Sequence, residues 1–335
     1  MGQTKLGFSP WDLPQPTGTK EVRTMKLVFC GTPEFAVPSL QALVDAGHEI
    51  ALVLTQPDRP AGRKQEIHIP PVKQLAVERG LPVLQPERLK TNAELRALLE
   101  QIAPDAIIVV AYGRIIPQWM LDLPRYGNIN VHGSLLPKYR GAAPIQWAVA
   151  NGETETGVTT MLLDAGLDTG NTLLSHSLSI GPHTTSPQLY PQLSQIGANL
   201  LLHTLSGLEQ GSIVPQPQDN AAATLAPILT KEDGRLDLLN RTAQQTYNRW
   251  RGFTPWPGAH SLFRGKRFLV HSLQPSTVAL SLAPNQLDFS TGELLVGAAN
   301  NTLLSLEEVQ LEGKPRLPGP QFARDFQLHP DEKLE

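Results

Sequence analysis

Three polar side chains in the middle of the chain have the types needed to move a proton and to stabilise a negatively charged oxygen. Asn130 and His132 lie two positions apart in an apolar run, so on a β-strand both side chains would point to the same face. Asp168 follows in a loop flanked by glycines. An amide donor, an imidazole and a carboxylate can together stabilise an oxyanion and transfer a proton. Taken alone, an Asn-x-His pair is more often a hydrogen-bonded strand end than a catalytic pair.

The segment that follows His132 resembles a known family signature. Residues 134–146 read SLLPKYRGAAPIQ, which is similar almost residue for residue to the branch of the folate-dependent formyltransferase family that acts on methionyl-tRNA. In that family an Asn, a His two residues later and an Asp in a loop of small residues form the catalytic centre. The resemblance therefore implies catalytic roles for Asn130, His132 and Asp168. It also implies 10-formyltetrahydrofolate as co-substrate and methionyl-initiator tRNA as acceptor.

Two further segments are expected to surround the folate. Residues 111–117 read AYGRIIP and follow an apolar run, and ligands of open α/β sheets bind beyond the carboxyl ends of the strands. In the family, the segments similar to AYGRIIP and to LDAGLDTG (163–170) contact the pterin largely through backbone groups. The resemblance implies folate contacts from Tyr112, Gly113, Arg114, Ile115, Ser134, Leu135, Leu136, Pro137, Asp164, Ala165, Gly166, Leu167 and Asp168. The sequence contains no Cys/His cluster with metal-ligand spacing, so no metal is expected.

Length and composition set wider bounds. The 335 residues have room for about two domains. A net charge of −3 does not by itself indicate a nucleic-acid partner, so RNA contacts must come from local basic patches. The single cysteine, Cys30, excludes an internal disulfide framework and is expected to be a small buried side chain. No apolar run is long enough to span a bilayer.

Residues 1–24 differ in character from the rest of the chain. They contain several prolines and glycines without a periodic pattern and are predicted to be a disordered extension. They lack the apolar segment of a secretory signal. The family resemblance begins at Met25, which suggests the hypothesis that the natural chain starts there. We expect a monomer in the bacterial cytoplasm, with an organelle as the alternative location.

From Met25 onward, apolar runs alternate with helical patterns. Strands buried on both faces and joined by helices are typical of a parallel sheet. The fold class predicted is α/β, a Rossmann-like, doubly wound and mostly parallel sheet in a catalytic domain spanning 25–210. The predicted strands are 26–30, 49–54 and 106–110, and the predicted helices are 35–46, 71–79, 92–102 and 186–208, the last interrupted by Pro191.

A second domain follows. Residues 211–229 lack periodicity and are predicted to be a linker. Residues 230–330 contain a helical segment near 240–250 and short strand-like runs separated by Gly, Asn and Pro, which are typical of a small antiparallel, OB-like barrel. The predicted strands are 259–263, 267–272, 293–298 and 302–309. The segments KEDGRLD (231–237) and RGFTPWPGA (251–259) resemble those that open the family's C-terminal tRNA-binding domain.

Two basic segments are candidates for tRNA contact. Residues 55–70, TQPDRPAGRKQEIHIP, form an unusually long connection between a strand and a helix. Charge alone favours a solvated surface loop, whereas the resemblance implies the loop that engages the tRNA acceptor end, with Arg63 as its main contact. Residues 249–267 carry five basic residues and no acid, which suits a phosphate backbone. The predicted tRNA contacts are Arg59, Arg63, Lys64, Arg140, Arg249, Arg251, Arg264, Lys266 and Arg267. Trp250 and Trp256 are expected to pack between helix, linker and barrel.

Three other functions fit parts of the sequence. A formyltransferase for a sugar amine or a purine precursor would share the catalytic residues, but the long basic loop and the C-terminal barrel argue against it. A folate hydrolase would use water as the acceptor at the same centre. A non-catalytic RNA-binding protein would not need the intact set of Asn130, His132 and Asp168.

Overall fold

The structure is a computed structural model that describes residues 24–61 and 66–335. The predicted N-terminal extension therefore lies outside the described residues, apart from Thr24. The predicted tRNA contacts Arg63 and Lys64 also lie outside them. None of the helices in the described ranges combines the length and apolar character needed to cross a membrane.

The N-terminal part of the chain is built on a seven-stranded sheet. Its strands, in chain order, are β1 (Lys26–Gly31), β2 (Glu49–Leu54), β5 (Val83–Leu84), β6 (Ala106–Val110), β7 (Asn128–His132), β9 (Glu155–Leu162) and β10 (Thr172–Ser179). Their spatial order is β10-β9-β7-β6-β1-β2-β5. The five strands from β7 to β5 run parallel, while β9 and β10 are antiparallel to their neighbours. The predicted Rossmann-like, mostly parallel sheet is confirmed.

Helices cover both faces of this sheet. They are α1 (Val37–Asp45), α2 (Pro71–Glu78), α3 (Ala93–Ile102), α4 (Gln118–Leu121), α5 (Pro144–Ala150) and α6 (Ser186–Glu209). Alternate residues of each strand point to opposite faces. Leu27 and Phe29 therefore join the core beneath α1, α2, α5 and α6, whereas Val28 and Cys30 join the core beneath α3 and α4. Cys30 is fully buried there, as expected, and burial raises the pKa of its thiol.

Helix boundaries differ in detail from the predictions. Residues 34–36 form a short 3₁₀ turn before α1 rather than part of one helix. The predicted break at Pro191 is wrong, because α6 continues through this residue as one 24-residue helix. Proline removes one backbone donor, and the apolar face that α6 buries against the sheet keeps the helix intact. Asn92 caps α3 by accepting a hydrogen bond from the Leu95 N–H at 2.9 Å.

Two short pairings lie outside the main sheet. The basic segment after β2 contains an antiparallel hairpin, β3 (Arg59–Ala61) with β4 (Glu66–His68). The predicted linker includes a 3₁₀ turn at Asn220–Ala222 and β11 (Leu225–Ala226), which pairs in parallel with β8 (Arg140–Gly141). Parts of the 211–229 segment thus pair with the N-terminal part of the chain, at Leu225–Ala226 and at Gln216.

The C-terminal part has its own antiparallel sheet and core. Its elements are α7 (Ala243–Phe253), β12 (Ala259–Phe263), β13 (Lys266–Ser276), β14 (Leu287–Asp288), β15 (Leu295–Ala298), β16 (Thr302–Leu311), β17 (Arg316–Pro318) and α8 (Gly319–Asp325). The strand order is β12-β13-β16-β15-β14, with β17 also paired to β16. Phe263, Phe268 and Phe322 pack against one another in its core. The predicted antiparallel domain is confirmed, although the pairing of the described strands does not close into a ring.

Candidate active site

Asn130 and His132 lie on β7, at the carboxyl edge of the sheet between β6 and β9. All five residues of β7 are buried, and β7 is hydrogen-bonded to β6 on one side and to β9 on the other. The backbone that carries the two polar side chains is therefore held from both sides. Asp168 comes from the loop that joins β9 to β10. Leu162 at the end of β9 pairs with Ile129, so this loop begins beside the amino end of β7. The loop then folds back along β7 and brings the carboxylate close to His132, which lies 36 positions earlier in the chain.

The His132 ring is held by a backbone carbonyl on one side and faces a carboxylate on the other. Its Nε2 lies 2.9 Å from the carbonyl oxygen of Tyr139. A carbonyl can only accept, so Nε2 carries a proton and donates it. Its Nδ1 lies 3.7 Å from Oδ2 of Asp168. The same carboxylate oxygen accepts a hydrogen bond from the Gly141 N–H at 2.9 Å. Nδ1 is thus the ring nitrogen left for proton transfer.

Asn130 lines the same cavity as His132 and Asp168. The residue is buried, and no hydrogen bond joins its side-chain amide to another of the residues that the structure describes. Such an amide can donate to a ligand oxygen. The cavity thus presents an amide donor, an imidazole and a carboxylate to a common space.

The cavity has a volume of about 660 Å³, which is within the usual range for small-molecule sites. Its wall includes the predicted folate contacts Tyr112, Gly113, Arg114, Ile115, Asp164, Ala165, Gly166, Leu167 and Asp168. Two apolar side chains on this wall are exposed, Ile115 by 91% and Leu167 by 62%. Exposed apolar side chains on the wall of a cavity that also carries polar groups suit a flat heteroaromatic ring with a polar edge.

The other predicted folate contacts, Ser134, Leu135, Leu136 and Pro137, do not line this cavity. The Ser134 hydroxyl is fully buried and donates to the carbonyl of Lys138 at 2.6 Å. The Thr159 hydroxyl donates to the carbonyl of Ser134 and accepts from the N–H of Leu136. The structure thus places this segment behind the site, where it shapes the turn that leads to Tyr139. Its folate contact remains a prediction.

The Tyr112–Arg114 wall is organised through its backbone. The Tyr112 carbonyl accepts hydrogen bonds from the Thr32 hydroxyl and the Gln56 amide, each at 3.1 Å. The Tyr112 ring packs into the apolar core beneath α3 and α4, and burial raises the pKa of its phenol. Arg114 donates to the Glu87 carbonyl. Tyr112 therefore offers a ligand its backbone and not its ring.

The loop that carries Asp168 is closed by its own side chains and by one residue from the distant 211–229 segment. Asp164 accepts from the Gly166 N–H at 2.9 Å and from the Thr169 hydroxyl at 2.7 Å. Gln218 donates to the carbonyls of Asp168 and Gly170. Sequence reasoning missed Gln218, because a lone glutamine in an aperiodic segment carries no signal of contact with the site.

The predicted tRNA-binding residues divide into two groups. Arg140, Arg249 and Arg251 are buried or half-buried and donate to protein acceptors. Burial is the main cause of the lowered pKa of Arg249 and of Arg251. Arg59, Arg264, Lys266 and Arg267 are exposed, with Arg264 in a 2.6 Å ion pair to Glu332. Trp250 stacks on Tyr247 as expected of a packed residue, whereas Trp256 is 53% exposed.

Comparison with known proteins identifies the family. The formyl transferase family model matches residues 25–205, and the formyl transferase C-terminal domain matches residues 228–327. The chain belongs to the formyl transferase family. Among its relatives, the methionyl-tRNA formyltransferase of Acidobacterium capsulatum is 58% identical over 310 residues, which cover 92% of this chain and 99% of the relative. That of Koribacter versatilis is also 58% identical, covering 92% and 98%.

Solved structures share the fold at low identity. The N-formyltransferase from Helicobacter canadensis, in complex with folinic acid and dTDP-3-aminofucose, has a TM-score of 0.63 and 17% identity, covering 84% of this chain and 99% of its own. HypX from Aquifex aeolicus, in complex with tetrahydrofolic acid, has a TM-score of 0.58 and 19% identity, covering 93% of this chain and 49% of its own. The described residues of this formyl transferase contain no cluster of His, Cys, Asp and Glu that could hold a metal ion.

Proposed function

We propose that this formyl transferase moves the formyl group of 10-formyltetrahydrofolate to the α-amino group of methionyl-initiator tRNA, giving N-formylmethionyl-tRNA for translation initiation. The observation that carries the chemistry is the meeting of Asn130, His132 and Asp168 at one cavity, with His132 Nδ1 3.7 Å from the Asp168 carboxylate. The choice of acceptor is supported by relatives named methionyl-tRNA formyltransferase that match this chain along almost their whole length.

The reaction needs an oxyanion site and a proton acceptor. The neutral amine attacks the formyl carbon, a new C–N bond forms, and the carbonyl oxygen gains negative charge. Asn130 donates an N–H to that oxygen, and His132 donates from Nδ1 when this nitrogen is protonated. Asp168 accepts the proton lost by the amine, directly or through a water molecule. The bond from the formyl carbon to folate N10 then breaks, and N10 takes up a proton.

The folate is proposed to bind between the two exposed apolar side chains of the cavity wall. Ile115 and Leu167 would contact the pterin faces, and the backbone groups of Gly113 and of the 164–168 loop would bind its polar edge. Glycine at position 113 has a φ of +76° and allows a close approach of ligand to backbone. Nothing in this arrangement requires a metal ion.

A second cavity offers a path for the acceptor. Its volume is about 880 Å³, and it shares Gln146 and Tyr190 with the catalytic cavity. Its lining also includes Ile228, from the 211–229 segment, and Trp256, which follows α7. We propose that the methionylated end of the tRNA passes through this cavity to reach His132.

Contact with the tRNA backbone is proposed for exposed basic residues. Arg59 lies on the β3–β4 hairpin, and Lys266 and Arg267 begin β13. The predictions for Arg63 and Lys64 stand beside them. Arg140, Arg249 and Arg251 already donate to the protein, so their proposed role is indirect. We further propose that the enzyme works as a monomer in the bacterial cytoplasm.

An acceptor competition tests this function. The purified chain is supplied with 10-formyltetrahydrofolate and with methionyl-initiator tRNA, with a dTDP-amino sugar, or with no acceptor. We expect formylated methionyl-tRNA in the first reaction, no formylated sugar in the second and no formate release in the third. Formylation of the sugar would indicate a sugar formyltransferase, and formate release without an acceptor would indicate a hydrolase.

A further inference from the structure

Part of the segment predicted to be a linker is attached to the catalytic loops by side chains as well as by backbone. Residues 216–226, named the strap here, pair with the catalytic domain at both ends. The Gln216 and Thr172 backbones exchange hydrogen bonds of 2.8 and 2.9 Å, and β11 pairs with β8. Gly141 makes close packing possible, because a Cβ at that position would lie 2.6 Å from the Ala226 carbonyl oxygen. The strap is therefore packed and hydrogen-bonded against the segments that surround the site.

Gln218, in the middle of the strap, joins two loops through all the polar atoms of its amide. Its Nε2 donates to the carbonyl of Asp168 at 2.9 Å and to that of Gly170 at 2.7 Å. Its Oε1 accepts from Nε of Arg140 at 3.0 Å and from Nη2 at 2.8 Å. A primary amide has the two donors and the acceptor that this bridge requires.

The second of these loops carries the partners of the catalytic pair. Gly141, next to Arg140, donates its N–H to the Asp168 carboxylate. The carbonyl of Tyr139, on the other side, accepts a hydrogen bond from Nε2 of His132. The strap fixes this loop again, because the Tyr139 N–H donates to the Thr224 hydroxyl at 2.9 Å. Gln218 thus ties the backbone of Asp168 to the short segment that orients both His132 and the carboxylate.

Asp168 needs such support, because its backbone is in the left-handed region with a φ of +51°. A non-glycine residue in this region is held there by its surroundings. Within the described residues, Gln218 is the side chain that donates to the Asp168 carbonyl. Without that bond, the Asp168 backbone is less constrained and its carboxylate can move away from the imidazole.

We propose that Gln218 is a positioning residue for formyl transfer, holding the Asp168 carboxylate at the His132 imidazole by bridging the 164–170 loop to Arg140. This inference rests on the proposed function for its reaction, but not on the identity of the acceptor. Gln218 touches neither the imidazole nor the carboxylate. It therefore acts on the rate of transfer through the geometry of the pair.

The test replaces Gln218 by Met, which keeps the length and removes the donors and the acceptor. Gln216→Met is the matched control, because the Gln216 amide is exposed and donates to Val214 within its own segment. For Gln218→Met we expect kcat to fall by about tenfold or more, since small displacements of catalytic groups cost up to about a hundredfold. The KM for methionyl-tRNA should stay within about twofold, as should every constant of Gln216→Met.

A double-mutant cycle distinguishes positioning from a general structural role. In the Asp168→Ala background, Gln218→Met should have no further effect on kcat, because the carboxylate that it positions is gone. A full multiplicative loss in that background would overturn the proposal. Equal losses in Gln218→Met and Gln216→Met, or an unchanged kcat in a folded Gln218→Met protein, would also overturn it.

A milder variant covers the case in which Gln218→Met does not fold. Asn220→Ala removes one acceptor of Arg140, which donates to it at 2.9 Å, and should lower kcat in the same direction by a smaller factor. An unchanged kcat in this variant would then count against the proposal. If the unmodified chain transferred formyl to no acceptor, both the proposed function and this inference would be overturned. Normal transfer by Gln218→Met would overturn this inference alone.

Discussion

The corner proposed for catalysis and the basic segment around α7 and β12–β13 use polar side chains in opposite ways. In the corner, Asn130, His132 and Asp168 are oriented by the sheet and by backbone partners, and their reactive atoms face the cavity. In the basic segment, Arg251 is only 3% exposed and donates to the carbonyls of Gly181 and Thr184 and to Asn248. In that segment the basic side chain of Arg251 joins helix α7 to the N-terminal part of the chain. The position of Asn130 and His132 on a strand predicts where their side chains lie. The position of Arg251 on a helix does not predict whether its side chain is exposed or buried.

The strongest test of the corner is removal of each reactive side chain. In Asn130→Ala, His132→Ala and Asp168→Ala, turnover should fall by at least about 10² to 10³, the usual cost of losing one oxyanion donor. The measurement is kcat for formylation of methionyl-tRNA, with circular dichroism to confirm folding. Near-normal turnover in any folded variant would remove that residue from the mechanism.

The second test concerns the buried arginine of the basic segment. Arg251→Met keeps much of the side-chain volume but loses hydrogen bonds from a charged donor, so the free energy of unfolding should drop by about 2–3 kcal/mol. Urea denaturation measures this change. Lys266→Met is the exposed control, and its unfolding free energy should change by less than about 0.5 kcal/mol. If the two variants had the same free energy of unfolding, the buried arginine would contribute no more to stability than the exposed lysine. The predicted basic residues would then not fall into a structural and an exposed group.

The third test asks whether exposed basic residues bind tRNA. The double variant Lys266→Met/Arg267→Met should bind methionyl-tRNA several-fold more weakly at moderate salt. The slope of log K against log salt should become shallower by about one for each phosphate that the variant no longer neutralises. Filter binding at several salt concentrations measures both quantities. A slope identical to that of the unmodified chain would exclude these residues from the interface.

The smallest effect is expected at the base of the β3–β4 hairpin. Asp58 accepts from Lys73 at 2.6 Å and from Gln85 at 2.7 Å, and the Lys73 bond is the main cause of its lowered pKa. Because the folded pKa lies below the unfolded one, the stabilisation is present above the unfolded value of about 3.8. It is lost as the pH falls through the folded pKa.

Asp58→Asn should therefore reduce the stability difference between neutral and acidic solution by a small amount. Urea denaturation at pH values above and below 3.8 measures it, with Lys73→Met as the partner variant. If Asp58→Asn and the unmodified chain had the same pH dependence, the ion pair would contribute nothing to stability. In that case the hairpin base would be held by its neutral hydrogen bonds alone.

The placement of Asn130 and His132 could be predicted because sheet geometry acts on local patterns. Two residues that lie two apart in an apolar run share one face of a strand, and both lie on β7. Burial of arginines could not be predicted, since Arg140 and Arg251 become buried only through residues far away in the chain, such as Gln218 and Gly181. The strap was missed for the same reason, because a 50-residue separation between Gln218 and Asp168 leaves no local pattern.

The most direct test of the central claim isolates the chemical step. Asp168→Asn keeps the shape of the side chain but cannot accept the proton, so it separates proton transfer from packing. With 10-formyltetrahydrofolate and methionyl-tRNA both saturating, the single-turnover rate of formyl transfer should fall by about 10² or more relative to the unmodified chain. A rate within about threefold of the unmodified chain, in a folded variant that binds both substrates, would contradict the account of Asp168 as the acceptor of the amine's proton.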